Sequence, residues 1–223
     1  MDGYSGWKPS WTSGLSAWEG HFEFARWIVQ KQKPKKLVEL GVLYGDSLMA
    51  FAESASPSCH LFGIDTFSGD SFVSFDIPDL FDTVTERFRP YTNVRIIRMP
   101  FLEASCLFPN NSIDLLHIDG DHAYESVKQD YESWLPRMSE NGIILFHDTN
   151  MRNDNFGVWR LWEEIRNTKP SVEFLHSSGL GVLFLGKSLS ITDFLKDCPD
   201  YVVLGPGPVL ETTEKSTLVD LGL

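Results

Sequence analysis

Apolar residues fall along this chain in two alternating rhythms. Short apolar runs at about 37–41, 60–65, 94–99, 113–118 and 143–148 each stop on polar or small residues, the pattern of strands covered on both faces. Between them apolar positions return at helical spacing. Phe22, Ala25, Ile28 and Val29 predict a helix over 20–32 that Pro34 ends, and Leu48, Met49, Phe51 and Ala52 predict one to about 55 that Pro57 closes. Further helices are expected over 78–88 and 101–108. Others follow the stripes Tyr124, Val127, Tyr131, Trp134, Leu135 and Val158, Leu161, Trp162, Ile165. Asn141-Gly142 reads as a turn into the fifth strand, and 172–176 with 181–185 as an antiparallel end pair. Five βα units and that pair predict an α/β fold: a doubly wound, mostly parallel seven-stranded sheet with helices on both faces.

Length and charge narrow the class. A chain of 223 residues, 42% hydrophobic, suits a single domain over 1–223. We divide it into an N-terminal cap and helix (1–33), a core (34–190), and a C-terminal helix and tail (191–223) that includes Gly205-Pro-Gly-Pro. The net charge of −12 argues against a nucleic-acid partner, which needs clustered Lys and Arg. Three scattered cysteines suggest neither a zinc site nor a disulfide framework, so a cytoplasmic setting is expected. No run reaches the ~18 apolar residues of a membrane span, and the N-terminus lacks the pattern of a secretory signal.

Chemistry gathers at the ends of the strands. The first strand carries Glu39 and breaks at Gly41-x-x-x-Gly45, followed by Ser47. Val42 and Leu43 stand where a dinucleotide fingerprint would place a second glycine, which disfavours NAD and FAD. Asp65 ends the second strand, 24 residues after Gly41, where a carboxylate can accept from ribose hydroxyls or cap a turn. The fourth strand ends in Asp119-Gly-Asp-His122 and the fifth in His147-Asp-Thr-Asn150. Ligands of such sheets bind beyond these strand ends.

The strand-end acid with G-x-x-x-G-x-S resembles motif I of class I S-adenosylmethionine-dependent methyltransferases. Three further stretches resemble the family termed methyltransferase domain 24: His117-Ile-Asp-Gly-Asp-His-Ala-Tyr-Glu125, Trp134-Leu-Pro, and Gly142-Ile-Ile-Leu-Phe-His-Asp-Thr149. Gly157-Val-Trp-Arg-Leu-Trp and Gly179-Leu-Gly-Val-Leu fit the same family, and the likeness runs over about 37–187. It implies a Rossmann-like fold, S-adenosylmethionine as cofactor, and a small-molecule or sugar hydroxyl as acceptor, in surface-polysaccharide or natural-product biosynthesis. It also implies a homodimer, or fusion or association with a glycosyltransferase. By resemblance, Glu39, Gly41, Gly45 and Ser47 hold the methionine part, Asp65 the ribose, Asp119 also belongs to the cofactor-binding set, and Met99 to Leu102 border the adenine. Asp119 and Asp148 match the metal carboxylates of catechol-type enzymes, with Thr149, a poorer ligand, in third place and Asn150 one residue on.

Methyl transfer is an in-line displacement, and the acceptor oxygen must lose its proton. His122 stands where catechol-type enzymes keep a basic residue and is the first candidate base; Asp119 is placed beside it. His147 is a second base candidate, or a side chain on the opposite face; Asp121 is read as a helix cap. Two carboxylates on neighbouring strands need a proton or a cation between them, and oxygen ligands suit Mg²⁺ or Mn²⁺. Trp7, Trp11 and Trp18 read either as a strap packed on the core or as a cap over the acceptor pocket. Two rival functions remain: a hydroxylase-like oxidoreductase on the same core, and a non-catalytic cofactor-binding module of a polysaccharide assembly protein.

Overall fold

The computed structural model describes residues 6–69, 79–153 and 156–186, together with the backbone of 202–204. Its strands are β1 (Lys36–Leu40), β2 (His60–Asp65), β3 (Val94–Arg98), β4 (Ile113–Ile118), β5 (Met138–His147), β6 (Ser171–Phe174), β7 (Leu180–Phe184) and β8 (Val202–Leu204). The helices are α1 (Phe22–Gln32), α2 (Asp46–Ser54), α3 (Leu80–Phe88), α4 (Phe101–Ser105), α5 (Tyr124–Trp134) and α6 (Val158–Ile165), with 3-10 turns at Ala17–His21 and Leu135–Arg137.

All seven expected strands form one sheet, ordered β3-β2-β1-β4-β5-β7-β6-β8. The first five are parallel, and β7 runs antiparallel to both β5 and β6. The three-residue β8 pairs antiparallel with β6 and extends that edge. The expected C-terminal helix lies outside the described residues. Asn141-Gly142 lies inside β5 rather than before it. Pairing with β4 begins at Met138, slips, and resumes at Ile143, so the expected turn is an irregularity within a longer strand.

Alternation along the strands sorts the core into two layers. Leu37, Leu115, Ile143 and Leu145 pack with α1, α2 and α3, while Val38, Leu40, Leu116, Ile118, Ile144 and Phe146 pack with side chains of α5 and α6. Strand side chains alternate between faces, so the strands read as continuous apolar runs because both faces are covered. Helix α1 stops where Lys33 turns left-handed (φ 48°) and its N–H returns to Val29 O. No helix among the described residues is long and apolar enough to cross a membrane.

Candidate active site at the ends of β1, β2, β4 and β5

β1 leads into the tight glycine turn. Gly41 (φ 89°) is left-handed, and a Cβ there would overlap the backbone carbonyl of Asp119. Gly45 (φ 87°) opens α2 against the Phe88 ring. The turn is tied to β2 by Asp65, whose Oδ2 accepts from Val42 N (2.8 Å) and Leu43 N (2.9 Å), and whose Oδ1 accepts from Phe67 N (2.7 Å). A carboxylate has about four acceptor sites, so this capping leaves about one for a ligand.

Register decides which polar side chains meet. Glu39 pairs with His117, and Ile118 with Phe146. Alternation therefore puts Glu39, His117, Asp119 and His147 on the face covered by α1 and α2. His147 shares a face with Asp119, which removes the opposite-face alternative. Its Nε2 lies 3.1 Å from Ser177 O, and its Nδ1 3.1 Å from Asp119 Oδ1 and 3.3 Å from Asp148 Oδ2. A carbonyl oxygen and ionised carboxylates can only accept, so both ring nitrogens donate and the ring is an imidazolium. Burial opposes that charge, but the charges of Asp119 and Asp148 and their hydrogen bonds raise the His147 pKa to about 10. Burial likewise opposes ionisation of the two carboxyls. His147, with His117 for Asp119 and His122 for Asp148, overrides it and holds both below the usual carboxylate range.

Asp148 follows the last residue of β5 and reaches this cluster through a left-handed backbone (φ 60°), a conformation that non-glycine residues adopt at a cost. Its Oδ2 is 2.9 Å from His122 Nε2, and the His122 ring stacks on Phe156 at 4.5 Å. Asp121 accepts from Ala123 N and Ser126 Oγ; it braces the turn into α5, whose N-cap position is Ala123, instead of capping a helical N–H as expected. Ligand atoms of Asp119, His122 and Asp148 lie within 4.8 Å of one another. Two carboxylates and an imidazole are a donor set a divalent cation accepts, and the nitrogen favours Mn²⁺ over Mg²⁺.

These groups surround one cleft of about 380 Å³. Its wall includes Gly41, Ser47, Asp65, Phe101, Asp119, His122, His147 and Asp148, with Leu15 to Trp18 contributed by the N-terminal segment. Three expected site residues stand behind it. Glu39 is fully buried, with Oε1 taken by Ser47 Oγ (2.9 Å) and Oε2 facing His117 Nδ1 (3.3 Å). Gly45 shapes the turn without facing the cleft. Thr149, expected as the third metal ligand, has a buried Oγ1 that makes no hydrogen bond and lies close to Gly179, while His122 lies beside the two carboxylates. Within Met99 to Leu102, Phe101 alone reaches the wall.

Sequence reasoning missed His117 and the position of Trp18. The signal for His117 was its two-residue spacing from Asp119, which puts both on one face. Trp18 is buried, and its Nε1 donates to His117 Nε2 at 3.1 Å. The aromatic N-terminus is thus both a strap on the core and part of the cleft wall.

Fold and site together define the class I architecture of S-adenosylmethionine-dependent methyltransferases. The profile of the methyltransferase domain family, Methyltransf_24, matches residues 38–149, and the chain belongs to that family. It is 36% identical over 187 residues to an uncharacterized protein, y4gI, of Sinorhizobium fredii; this covers 82% of the chain but 21% of that relative. The chain thus spans about a fifth of its relative's length. The O-methyltransferase TomG of Streptomyces achromogenes, solved in complex with S-adenosylmethionine, is similar in fold (TM-score 0.58, 10% identity, covering 75% of this chain and 80% of that one). An O-methyltransferase of Bacillus cereus in complex with S-adenosylhomocysteine is similar as well (TM-score 0.55, 16% identity, 74% and 80% covered).

Proposed function

We propose that this chain transfers a methyl group from S-adenosylmethionine to a hydroxyl oxygen of a small molecule or sugar. The observation that carries this reading is that one cleft is walled both by the glycine turn with Asp65 and by the Asp119–His122–Asp148 group. The remaining acceptor site on Asp65 suits a ribose hydroxyl, and the lack of a Cβ on Gly41 lets the turn lie against the Asp119 carbonyl, which brings the two parts of the cleft wall together. His122 takes the acceptor proton. Asp148 orients its ring and stabilises the cation that forms, in the manner of a base held by a carboxylate. The His147 imidazolium neutralises the two carboxylates so that they remain ionised beside the reacting oxygen. In this reading residues 34–190 are the catalytic core, and the segment before them completes its wall.

A second reading rests on the convergence of Asp119, His122 and Asp148. Together they would hold Mn²⁺ or a similar ion, which would lower the pKa of an acceptor hydroxyl. His122 would then be a ligand rather than the base. Incubation with S-adenosylmethionine and a panel of glycosides and catechols, followed by mass spectrometry, tests both. A gain of one methyl group is expected, lost in His122→Ala while S-adenosylhomocysteine still binds. Undiminished turnover after exhaustive chelation would eliminate the metal reading. Hydroxylated products would favour the oxidoreductase, and cofactor binding with no product on any acceptor would favour the non-catalytic module.

A further inference from the structure

His122 stands on the connection between β4 and α5 and belongs to neither element, so no sheet ladder or helix fixes its side chain. Asp148 Oδ2, at 2.9 Å, locates the Nε2 atom. A hydrogen bond at one ring atom fixes a position and not a plane, and the outer torsion of a histidine is a broad one. A second constraint comes from Phe156, whose ring stacks on the imidazole with centroids 4.5 Å and planes 28° apart.

Backbone contacts carry Phe156 to that place. Gly157 N donates to His122 O at 2.7 Å, and Phe156 N donates to Asn153 O at 3.0 Å. A Cβ on Gly157 would stand 2.3 Å from Tyr124 N and 2.4 Å from Tyr124 Cα, so the start of α6 lies directly on the start of α5. His122 precedes one helix and Phe156 the other, and docking of the two helix starts brings the rings together. His122 lines the cleft, whereas Phe156 lies behind it and outside the wall. We propose that Phe156 is a positioning residue for the transfer: its face holds the plane of the His122 imidazole in the orientation that the acceptor hydroxyl meets. This rests on the transfer reading above, and it holds whether His122 takes the proton or ligates an ion. A group that supports the ring from behind touches neither substrate nor cofactor. Its removal should therefore slow the chemical step, which depends steeply on alignment, and leave binding in place.

Phe156→Leu keeps an apolar side chain and removes the flat face, whereas Phe156→Tyr keeps the face. Turnover with S-adenosylmethionine is followed on a glycoside and catechol panel headed by methyl glucoside and catechol, and S-adenosylhomocysteine affinity by calorimetry. Phe156→Leu should lower kcat about ten- to a hundredfold, the scale of a small misplacement of a reacting group, with acceptor KM and S-adenosylhomocysteine Kd within about twofold of wild type. Phe156→Tyr should keep kcat within about threefold of wild type. Proton spectra add a readout independent of turnover. A proton over an aromatic face is shielded, so the carbon-bound ring protons of His122 should move downfield in Phe156→Leu and stay in place in Phe156→Tyr. An unchanged kcat in Phe156→Leu, an equal loss in Phe156→Tyr, a loss carried by KM or cofactor affinity instead of kcat, or unmoved His122 protons would each overturn the proposal. If Phe156→Leu does not fold, Phe156→Met, which also lacks a flat face, replaces it with the same expected outcomes. A wild-type protein that methylates no member of the panel would refute the transfer reading itself, before any variant is made.

Discussion

His147→Gln tests the charge balance of the site most directly. His147 contacts Asp119, Asp148 and the Ser177 carbonyl at 3.1, 3.3 and 3.1 Å, all in a setting that leaves its side chain 5% exposed. Glutamine can replace one donor but not the positive charge. Removing one member of a buried ion cluster leaves the others uncompensated, at a cost of about 3–5 kcal/mol. At ~2–4 °C per kcal/mol for a domain of this size, melting should fall by roughly 6–20 °C. The pH dependence fixes the cause. The folded His147 pKa, about 10, lies above the unfolded 6.5, so its contribution is complete below about 6.5 and is lost as pH rises through about 10. The gap between wild type and variant should therefore be widest near pH 6 and narrow toward pH 10, read by calorimetric or circular-dichroism melts across that range. Burial, with the charges of His147 and His176, lowers His21 to about 2, which acts in the opposite sense. Its contribution fades as pH falls below 6.5, and that acid limb should survive in the variant. A variant melting within about 2 °C of wild type, or a gap unchanged between pH 6 and 10, would refute the imidazolium assignment.

Three further outcomes follow from the same geometry. Gly41→Ala should abolish S-adenosylhomocysteine binding in calorimetry, because its Cβ meets the Asp119 carbonyl and its backbone is left-handed; retained affinity would show that the turn yields easily. Asp65→Asn should cost about 1–3 kcal/mol in denaturant unfolding, since one amide oxygen cannot serve three backbone N–H groups held by two carboxylate oxygens. Thr149→Val removes a buried hydroxyl that makes no hydrogen bond, so stability should hold or rise by up to about 1 kcal/mol. A loss of Mn²⁺-dependent turnover in that variant would restore Thr149 as a ligand.

Much of the sheet was legible along the chain because strand burial is a local pattern. Leu37-Val-Glu-Leu-Gly and Ile143-Ile-Leu-Phe-His read as doubly covered strands, and Gly41-x-x-x-Gly45 as the turn after the first, with no knowledge of neighbours. The end acids at Asp65, Asp119 and Asp148 were visible for the same reason. Tertiary structure decided how these groups divide between wall and core. Glu39 faces inward because register sets it against His117, and His117 has a donor because Trp18, 99 residues away in sequence, packs over it. His147 joins the carboxylates by parity of alternation, whereas Asp148 needs a left-handed backbone to do so, and Thr149 is carried to the back. Periodicity records how much of each residue is covered. It does not record what covers it, because that depends on strand order and on packing between segments far apart in the chain.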